Sequence, residues 1–497
     1  MKFDHQPADI LERLAELRSA DAPTHGGRVL SYVYDSGLAE LDELAASAIR
    51  AVQPVNGLDP TTFTSVAVME REVLRFARDL LGGDEDVVGT VTTGGTESCL
   101  LAVKTARDVW RGVGASARTG TPRLLAPVTV HAAFQKAAHY FGLQLDLVPV
   151  GPGGDVAAGD LIARMDDDVA LVVVSAPSYA HAAMDPVAEV AAAASERGIA
   201  CHVDACIGGW VLPFWEGVEP WTFAVTGVTS ISADLHKFGY SPKGASVILQ
   251  RGRDRQREQY FATTQWPGYP IVNPTILGSK SAGPLAAAWA IIQALGTEGL
   301  AELSRSCARS TRTLRDVIGG IEGLRVVGNP VGPLLAVATD ESVADERRVD
   351  PHHWADQVRE HGFLLQLQPS LVQSDGSTLP ATTHLTVTPV TAEVLDELSV
   401  ALTAAGDEVR GVPPVAVEAL LATLPAEALA VLGNPDAAPL DSVSAAGILG
   451  ALGIGAATGG LPDRMAPLLA LISAMPAPLT QRLLVELLAR LVEPEAT

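Results

Sequence analysis

The sequence predicts an α/β protein with a mainly parallel seven-stranded sheet that has helices on both faces, a smaller α+β domain and an extra helical tail. Three observations carry that expectation. From residue 87 onward, short runs of Val, Ile, Leu and Ala alternate with segments of helical periodicity. Hydrophobic residues make up 47% of the chain but aromatics only 5%, so small aliphatic side chains must fill the core, as they do where helices cover both faces of a sheet. At 497 residues the chain also exceeds what one core normally encloses, so several domains are expected.

Taken in order, residues 1–60 form an N-terminal segment. It carries an amphipathic helix at 10–17, a loop at 25–37 (HGGRVLSYVYDSG) with Tyr32 and Tyr34, a helix at 39–52 and a turn at 56–60. The large domain is expected over 61–284. It opens with a helix at 64–81, where Val66, Met69, Val73, Phe76 and Leu80 recur at helical spacing and Gly82-Gly83 ends the pattern. Strands follow at 87–92, 123–130, 144–150, 170–176, 199–204, 225–232 and 245–249, with helices such as 97–110, 132–141 and 187–197 between them. Ligands of such sheets sit at the carboxyl ends of the strands.

The small domain is expected over 285–410. Its helices are read at 285–295 and 300–318, its strands at 324–328, 334–339, 363–367 and 384–388, and a helix at 392–408 closes it. Gly411-Val412-Pro413-Pro414 reads as a linker to a helical extension over 411–497. Within it, the uncharged, glycine-rich run 443–461 approaches the roughly 20 residues of a membrane span. Large apolar residues are sparse there and nothing basic flanks it closely, so a packed helical hairpin is the better reading. An amphipathic helix at 479–491 ends the chain.

A formal net charge of −23 argues against a nucleic-acid partner, which needs a basic face. It leaves an anionic substrate open, because a local cluster of donors decides that. Four cysteines, at 99, 201, 206 and 307, form no close Cys-x-x-Cys pair, so neither a disulfide framework nor a zinc site is expected, and a reducing cytoplasm fits. The opening MKFDHQPADILERL has no apolar core, so neither a signal peptide nor an N-terminal membrane span is expected.

Four local patterns carry chemistry. Lys237 stands directly after His236, on a turn between two runs that read as buried strands. An amine is costly to hide. Burial depresses its pKa and makes it a nucleophile near neutral pH, whose natural product is a Schiff base with a carbonyl. The plainer reading is a lysine that snorkels to solvent. In Val91-Thr92-Thr93-Gly94-Gly95-Thr96-Glu97-Ser98, a strand ends, two glycines follow and a helix opens. Its free N–H groups favour a phosphate, with Thr96 and Ser98 adding hydroxyls, or it is an ordinary glycine turn. Asp204 ends an apolar strand and needs a cationic or hydrogen-bonded partner such as a protonated ring nitrogen; the alternative is a capping Asp. His131 ends another strand and opens a helix, where its flat imidazole can stack on a ring or simply cap.

A phosphate cradle, a flat platform, a carboxylate and an amine in one α/β domain are what pyridoxal 5′-phosphate requires. The order TTGGTES, HAAFQKA, HVDACIGG and SISADLHKFGYSPKG resembles the sphingosine-1-phosphate lyases, within the fold-type I, group II decarboxylase-like enzymes. The resemblance continues through Trp266-Pro267-Gly268 and Pro274-Thr275-Ile276-Leu277-Gly278-Ser279-Lys280 and covers about residues 25–410. It implies that Lys237 is the Schiff-base lysine, Asp204 the pyridinium partner and His131 the stacking residue. It implies cofactor-phosphate contacts at Gly94, Gly95, Thr96 and His236. It places Gly278 and Ser279 at the cofactor of a second subunit in a homodimer, and Tyr34 and Lys243 near the reacting carbon as candidate bases. The implied reaction is retro-aldol cleavage of a phosphorylated long-chain amino alcohol to a fatty aldehyde and phosphoethanolamine. Two other functions stay open: a pyridoxal phosphate-dependent amino-acid decarboxylase, and a non-catalytic cofactor-binding scaffold. Three departures bear on the substrate. Asp59 stands where many relatives have His, Tyr269-Pro270 replaces a glycine-rich step, and Lys280 stands where Arg is frequent, a change that is not neutral at a phosphate site.

Overall fold

The computed structural model describes residues 4–112, 118–421, 441–451 and 462–494. Its centre is a seven-stranded sheet: β1 (Val87–Thr92), β2 (Arg123–Pro127), β3 (Gln144–Val148), β4 (Val169–Ser175), β5 (Ala200–Asp204), β6 (Val228–Ala233) and β7 (Ser246–Arg251). The order across the sheet is β1-β7-β6-β5-β4-β2-β3. All neighbours pair in parallel except β7, which runs antiparallel to both β1 and β6. Every residue of β4 and β5 is buried, which is why these strands read as unbroken apolar runs. All seven predicted strands are present. Those read at 123–130 and 144–150 end earlier, because at 128–130 the chain turns into the next helix, with Val130 bonded back to Pro127.

Helices cover both faces. On one side, Gly95–Arg111 and Ala132–Phe141 press Cys99, Val103, Phe134 and Ala137 onto Leu124, Ala126, Leu171 and Val173. On the other, Thr64–Leu80 and Val187–Glu196 pack on Val172, Val174 and Leu249. The two helices expected at 285–295 and 300–318 are one long element, Gly283–Gly319, interrupted at Gly296, whose φ of 56° is open to glycine at little cost.

This element leads into a second sheet of β10 (Leu324–Val326), β11 (Leu334–Thr339), β12 (Gln366–Gln368) and β15 (Thr382–Thr386), in the order β10-β11-β15-β12. Short hairpins, β8 (Phe261–Thr263) with β9 (Ile271–Asn273) and β13 (Leu371–Val372) with β14 (Thr378–Leu379), lie apart from it. The strand read at 363–367 begins later than expected. Phe363 is a fully buried plug of the small core, and Leu364 pairs with the N-terminal segment, so pairing to β15 starts at Gln366. The sequence reading also passed over the helix Pro351–Glu360, which Asp350 caps by accepting from the N–H groups of His352 and His353.

Residues 28–30 cross to the small domain. Leu30 N–H donates to Leu364 O (2.9 Å), Leu364 N–H to Arg28 O (2.8 Å) and Thr386 N–H to Leu30 O (2.7 Å). Arg28 also meets Glu397 through two hydrogen bonds of 2.6 and 2.7 Å. This strap carries Tyr34 to the edge of the large sheet. Helix Pro7–Arg18 precedes it and buries none of its residues.

In the tail, helices Ser442–Ala451, Ala466–Ala474 and Ala477–Leu491 share a small core of Ala445, Ile448, Leu479, Leu483 and Leu487 with Leu468. Of the run at 443–461, positions 452–461 lie outside the described residues. Among the described residues, no helix is long and apolar enough to cross a membrane.

Candidate active site

The carboxyl ends of the parallel strands open into a cavity of about 420 Å³, where Lys237, Asp204, His131, His236 and Lys243 converge with the helix start Gly94-Gly95-Thr96. Each group arrives by its own local logic. The strand β1 ends at Thr92, and Gly94 sits at φ 153°, a conformation that side-chain-bearing residues rarely adopt. A Cβ on Gly94 would stand 3.2 Å from the His236 ring, and one on Gly95 would stand 2.5 Å from the Asp234 carboxylate. The two glycines thus let the backbone lie against Asp234 and His236 while the helix N–H groups face the cavity. Glu97 braces this turn. Its carboxylate accepts from Thr93 N–H (2.7 Å) and Thr93 Oγ1 (2.8 Å), and from Ile276 N–H of a distant loop (2.7 Å). Ser98, expected to face the phosphate, instead points into the protein and bonds Thr92 and Ser246 at 2.7 and 2.9 Å.

Asp204 ends β5 and is 7% exposed. Its Oδ1 accepts from Cys206 N–H at 3.0 Å, and Ser232 Oγ lies 3.5 Å away. Among the described residues no hydrogen bond holds its other oxygen, which is left for a cavity ligand. His131 takes the capping role weighed for it and also lines the cavity. Its Nδ1 caps the helix Ala132–Phe141 by accepting from Ala133 N–H at 3.2 Å, and its ring lines the cavity.

Lys237 lies between β6 and β7, as expected, but its charge state is the reverse of the expectation. Burial alone would depress it. Burial is the largest single influence, but Asp234, 1% exposed and 3.0 Å away, together with Tyr34, Cys206 and Asp204 outweighs it and holds the ammonium well above the usual lysine range. Sequence reasoning missed Asp234, although its place three residues before Lys237 was visible. The amine with a lowered pKa is Lys243. Although open to solvent at the rim, it is pushed down to about 8 by burial and by the Lys237 ammonium. Its Nζ stands 4.5 Å from the centre of the Tyr34 ring, which packs edge-on against Phe238. Burial pushes the Tyr34 phenol up to about 12. Burial pushes His236 down to about 4, so the ring is neutral near pH 7. Tyr179, on the loop after β4, also lines the cavity; it stacks on His384 and donates to Gln366 at 2.6 Å. No pattern around Tyr179 marked it in the sequence.

Gly278 and Ser279 do not reach this cavity within the chain. They line a separate groove of about 1450 Å³ together with Asp59, Tyr269 and Lys280. Asp59 is tied down there by Thr61 and Thr62, whose hydroxyls donate at 2.6 and 2.7 Å and hold it ionised, with its pKa lowered to about 2.

Residues 38–335 match the family model described as the pyridoxal-dependent decarboxylase conserved domain. The chain belongs to the pyridoxal-dependent decarboxylase family. Residues 426–490 match a second model, "Pyridoxal-dependent enzyme, C-terminal putative HTH domain". The chain is 36% identical to sphingosine-1-phosphate lyase 1 of Rattus norvegicus over 339 residues, 67% of this chain and 59% of that one. It is 30% identical to the sphingosine-1-phosphate lyase of Saccharomyces cerevisiae over 403 residues, 78% of this chain and 64% of that one. The chain therefore spans less than two thirds of the length of these curated relatives. Among solved structures, the sphingosine-1-phosphate lyase of Burkholderia pseudomallei superposes with a TM-score of 0.75 at 29% identity, covering 88% of this chain and 97% of that one. The glutamate decarboxylase of Lactobacillus brevis shares the fold, with a TM-score of 0.71 at 19% identity over 84% of this chain and 95% of that one.

The family's cofactor is pyridoxal phosphate, and the residues present fit it. The glycine cradle at the helix start, the open oxygen of Asp204, the His131 ring and the Lys237 amine all face one cavity.

Proposed function

We propose that the chain is a carbon–carbon lyase that cleaves a phosphorylated long-chain amino alcohol of the sphingosine or sphinganine 1-phosphate kind, giving a fatty aldehyde and phosphoethanolamine. The carrying observation is Lys243. Cleavage of a bond beside a hydroxyl needs a base for that hydroxyl, whereas loss of carbon dioxide does not. An amine at the cavity rim with a pKa of about 8 is such a base near neutral pH. The names of the similar lyases from rat, yeast and Burkholderia point the same way.

In this reading Lys237 would hold the cofactor, Asp204 would keep its ring nitrogen protonated, and His131 would supply a flat surface for the ring. The helix start at Gly94, Gly95 and Thr96 would hold its phosphate with His236. The bound cofactor supplies an electron sink for the bond that breaks. Lys243 takes the hydroxyl proton at Nζ. Tyr34, protonated across the neutral range, serves as a hydrogen-bond donor rather than as the base. Burial, the larger of the two influences that lower its pKa, keeps Lys243 neutral enough to work.

A cytoplasmic homodimer belongs to the same proposal. The four cysteines are free, as in a reducing compartment. Gly278 and Ser279, away from their own cavity, are free to complete a second copy's site. Nucleic acid is no partner of the tail, since residues 426–490 carry five acidic and three basic side chains. Incubation with sphinganine 1-phosphate and a panel of amino acids tests the reading. Aldehyde release supports the lyase, carbon dioxide release the decarboxylase, and neither product the scaffold.

A further inference from the structure

We propose that Glu97 is a positioning residue for a second copy of the chain. It fixes segment 276–279 in the place from which that segment completes the other copy's site. The proposal rests on the reading of Gly278 and Ser279 as contributors to a second copy's cavity. The helix start that would hold one cofactor's phosphate then also sets how tightly the partner holds its own.

Three observations carry this. The first is where Glu97 stands. It is the third residue of the helix Gly95–Arg111 and is 7% exposed. It lines the strand-end cavity, while Thr275, Gly278 and Ser279 line the separate groove. Its carboxylate spans the wall between the two. Oε2 accepts from Thr93 N–H and Thr93 Oγ1 at 2.7 and 2.8 Å. Oε1 accepts from Ile276 N–H at 2.7 Å and from Leu277 N–H at 3.4 Å. One side chain therefore ties the turn of the phosphate cradle to the loop that carries Gly278 and Ser279.

The second observation is how little else holds that loop. Ile276 and Leu277 are 53% and 47% exposed, so apolar packing within the chain does not seat them. A Cβ on Gly278 would find its nearest neighbour only at 3.8 Å. Thr275 Oγ1 donates to Leu277 O inside the segment, and the ties on either side go from Gln259 to Pro274 O and from Gly57 N–H to Lys280 O. Among the described residues, Glu97 supplies the only hydrogen bonds that reach 276–279 from outside 275–280. Third, Phe261, Trp266, Tyr269, Val272, Ile276 and Leu277 all stand 43–60% exposed along this stretch. Grouped apolar side chains of that kind mark a protein–protein surface, so the loop that Glu97 holds lies where a second copy would meet it.

Hybrid dimers test this. The donor chain carries Lys237→Ala, so its own cavity shows no visible cofactor band, and the receiver is wild type. Visible absorption titrated with pyridoxal 5′-phosphate then reports the receiver's site alone. A further Glu97→Ala in the donor frees Ile276 and Leu277 and leaves every residue of the receiver unchanged. The receiver's affinity is expected to weaken at least about tenfold, the scale set by N–H groups that lose their acceptor. A donor with Ser279→Trp in place of Glu97→Ala is the control for the shared site. If Ser279→Trp weakens the receiver and Glu97→Ala does not, the inference about Glu97 is overturned while the shared site stands. If neither weakens it, the shared-site reading itself fails. Should Glu97→Ala fold poorly, hydrogen exchange on the wild type is the second arm. Held by Glu97, the Ile276 amide exchanges at least about tenfold more slowly than an open chain. Exchange at the open-chain rate overturns the proposal without any variant.

Discussion

At the scale of single residues, the two lysines of the site are held in opposite electrostatic states. Lys237 is pinned as an ammonium by a buried carboxylate, and Lys243 is pushed down to about 8 at the rim. Two expectations follow. Lys237→Ala abolishes the visible absorption of bound pyridoxal phosphate; a variant that keeps the wild-type spectrum refutes the assignment. For Lys243, the folded pKa lies below that of a free lysine, so the active, neutral form accumulates as pH rises through about 8. The rate constant of the chemical step therefore climbs with pH through that value in the wild type. In Lys243→Met it falls by roughly 10²–10⁴-fold and loses that limb, the range typical of general-base assistance. A Met variant that keeps the limb moves the base elsewhere, with Tyr34 the less suited candidate because its phenol stays protonated.

At the scale of elements, function depends on helix starts. The helix Gly95–Arg111 opens against Asp234 so closely that Gly95→Ala places a methyl group 2.5 Å from a carboxylate oxygen. Equilibrium titration is expected to show cofactor affinity at least about tenfold weaker, or about 1.4 kcal/mol, with helix content unchanged. Unchanged affinity means that the cradle is looser than the backbone geometry requires. A second helix start joins the tail to the small domain. Asp356, 7% exposed on Pro351–Glu360, accepts from Met465 N–H (2.8 Å) and Ala466 N–H (3.0 Å). It thus caps Ala466–Ala474 from another part of the chain. Asp356→Ala removes a cap worth about 0.5–2 kcal/mol. Hydrogen exchange in 462–474 is expected to speed up while cofactor binding holds; unchanged exchange would show that apolar packing alone seats the tail.

At the scale of the whole molecule, the groove lined by Gly278, Ser279, Asp59 and Lys280 decides whether one chain suffices. If Ser279 completes a second copy's site, Lys237→Ala and Ser279→Trp are each inactive, and co-refolding them restores activity through mixed dimers that hold one intact site. No recovery, with dimers present by sedimentation, refutes sharing. Much of this was legible in advance. Buried strands announce themselves as runs of β-branched and small apolar residues, so all seven strands of the main sheet could be read, and the glycines, Asp204, His131 and Lys237 fell at their ends by the rule that ligands collect there. The composition and the order of motifs, which are local properties, determined the fold class, the cofactor and a set of residues that meet in one cavity. What neighbours do to one another was not local. The charge of Lys237 depends on how deeply Asp234 is buried. Tyr34 stands beside Lys243 and Phe238 only because residues 28–30 are strapped to β15 and Leu364, far along the chain. The thiols of Cys99 and Cys206, which form no close pair in the sequence, lie with an Asp204 oxygen within 4.8 Å of one another. Sequence spacing governs which groups end a strand or open a helix. Burial and electrostatics, which set protonation, are sums over groups brought together from distant positions, and only the tertiary structure performs that sum.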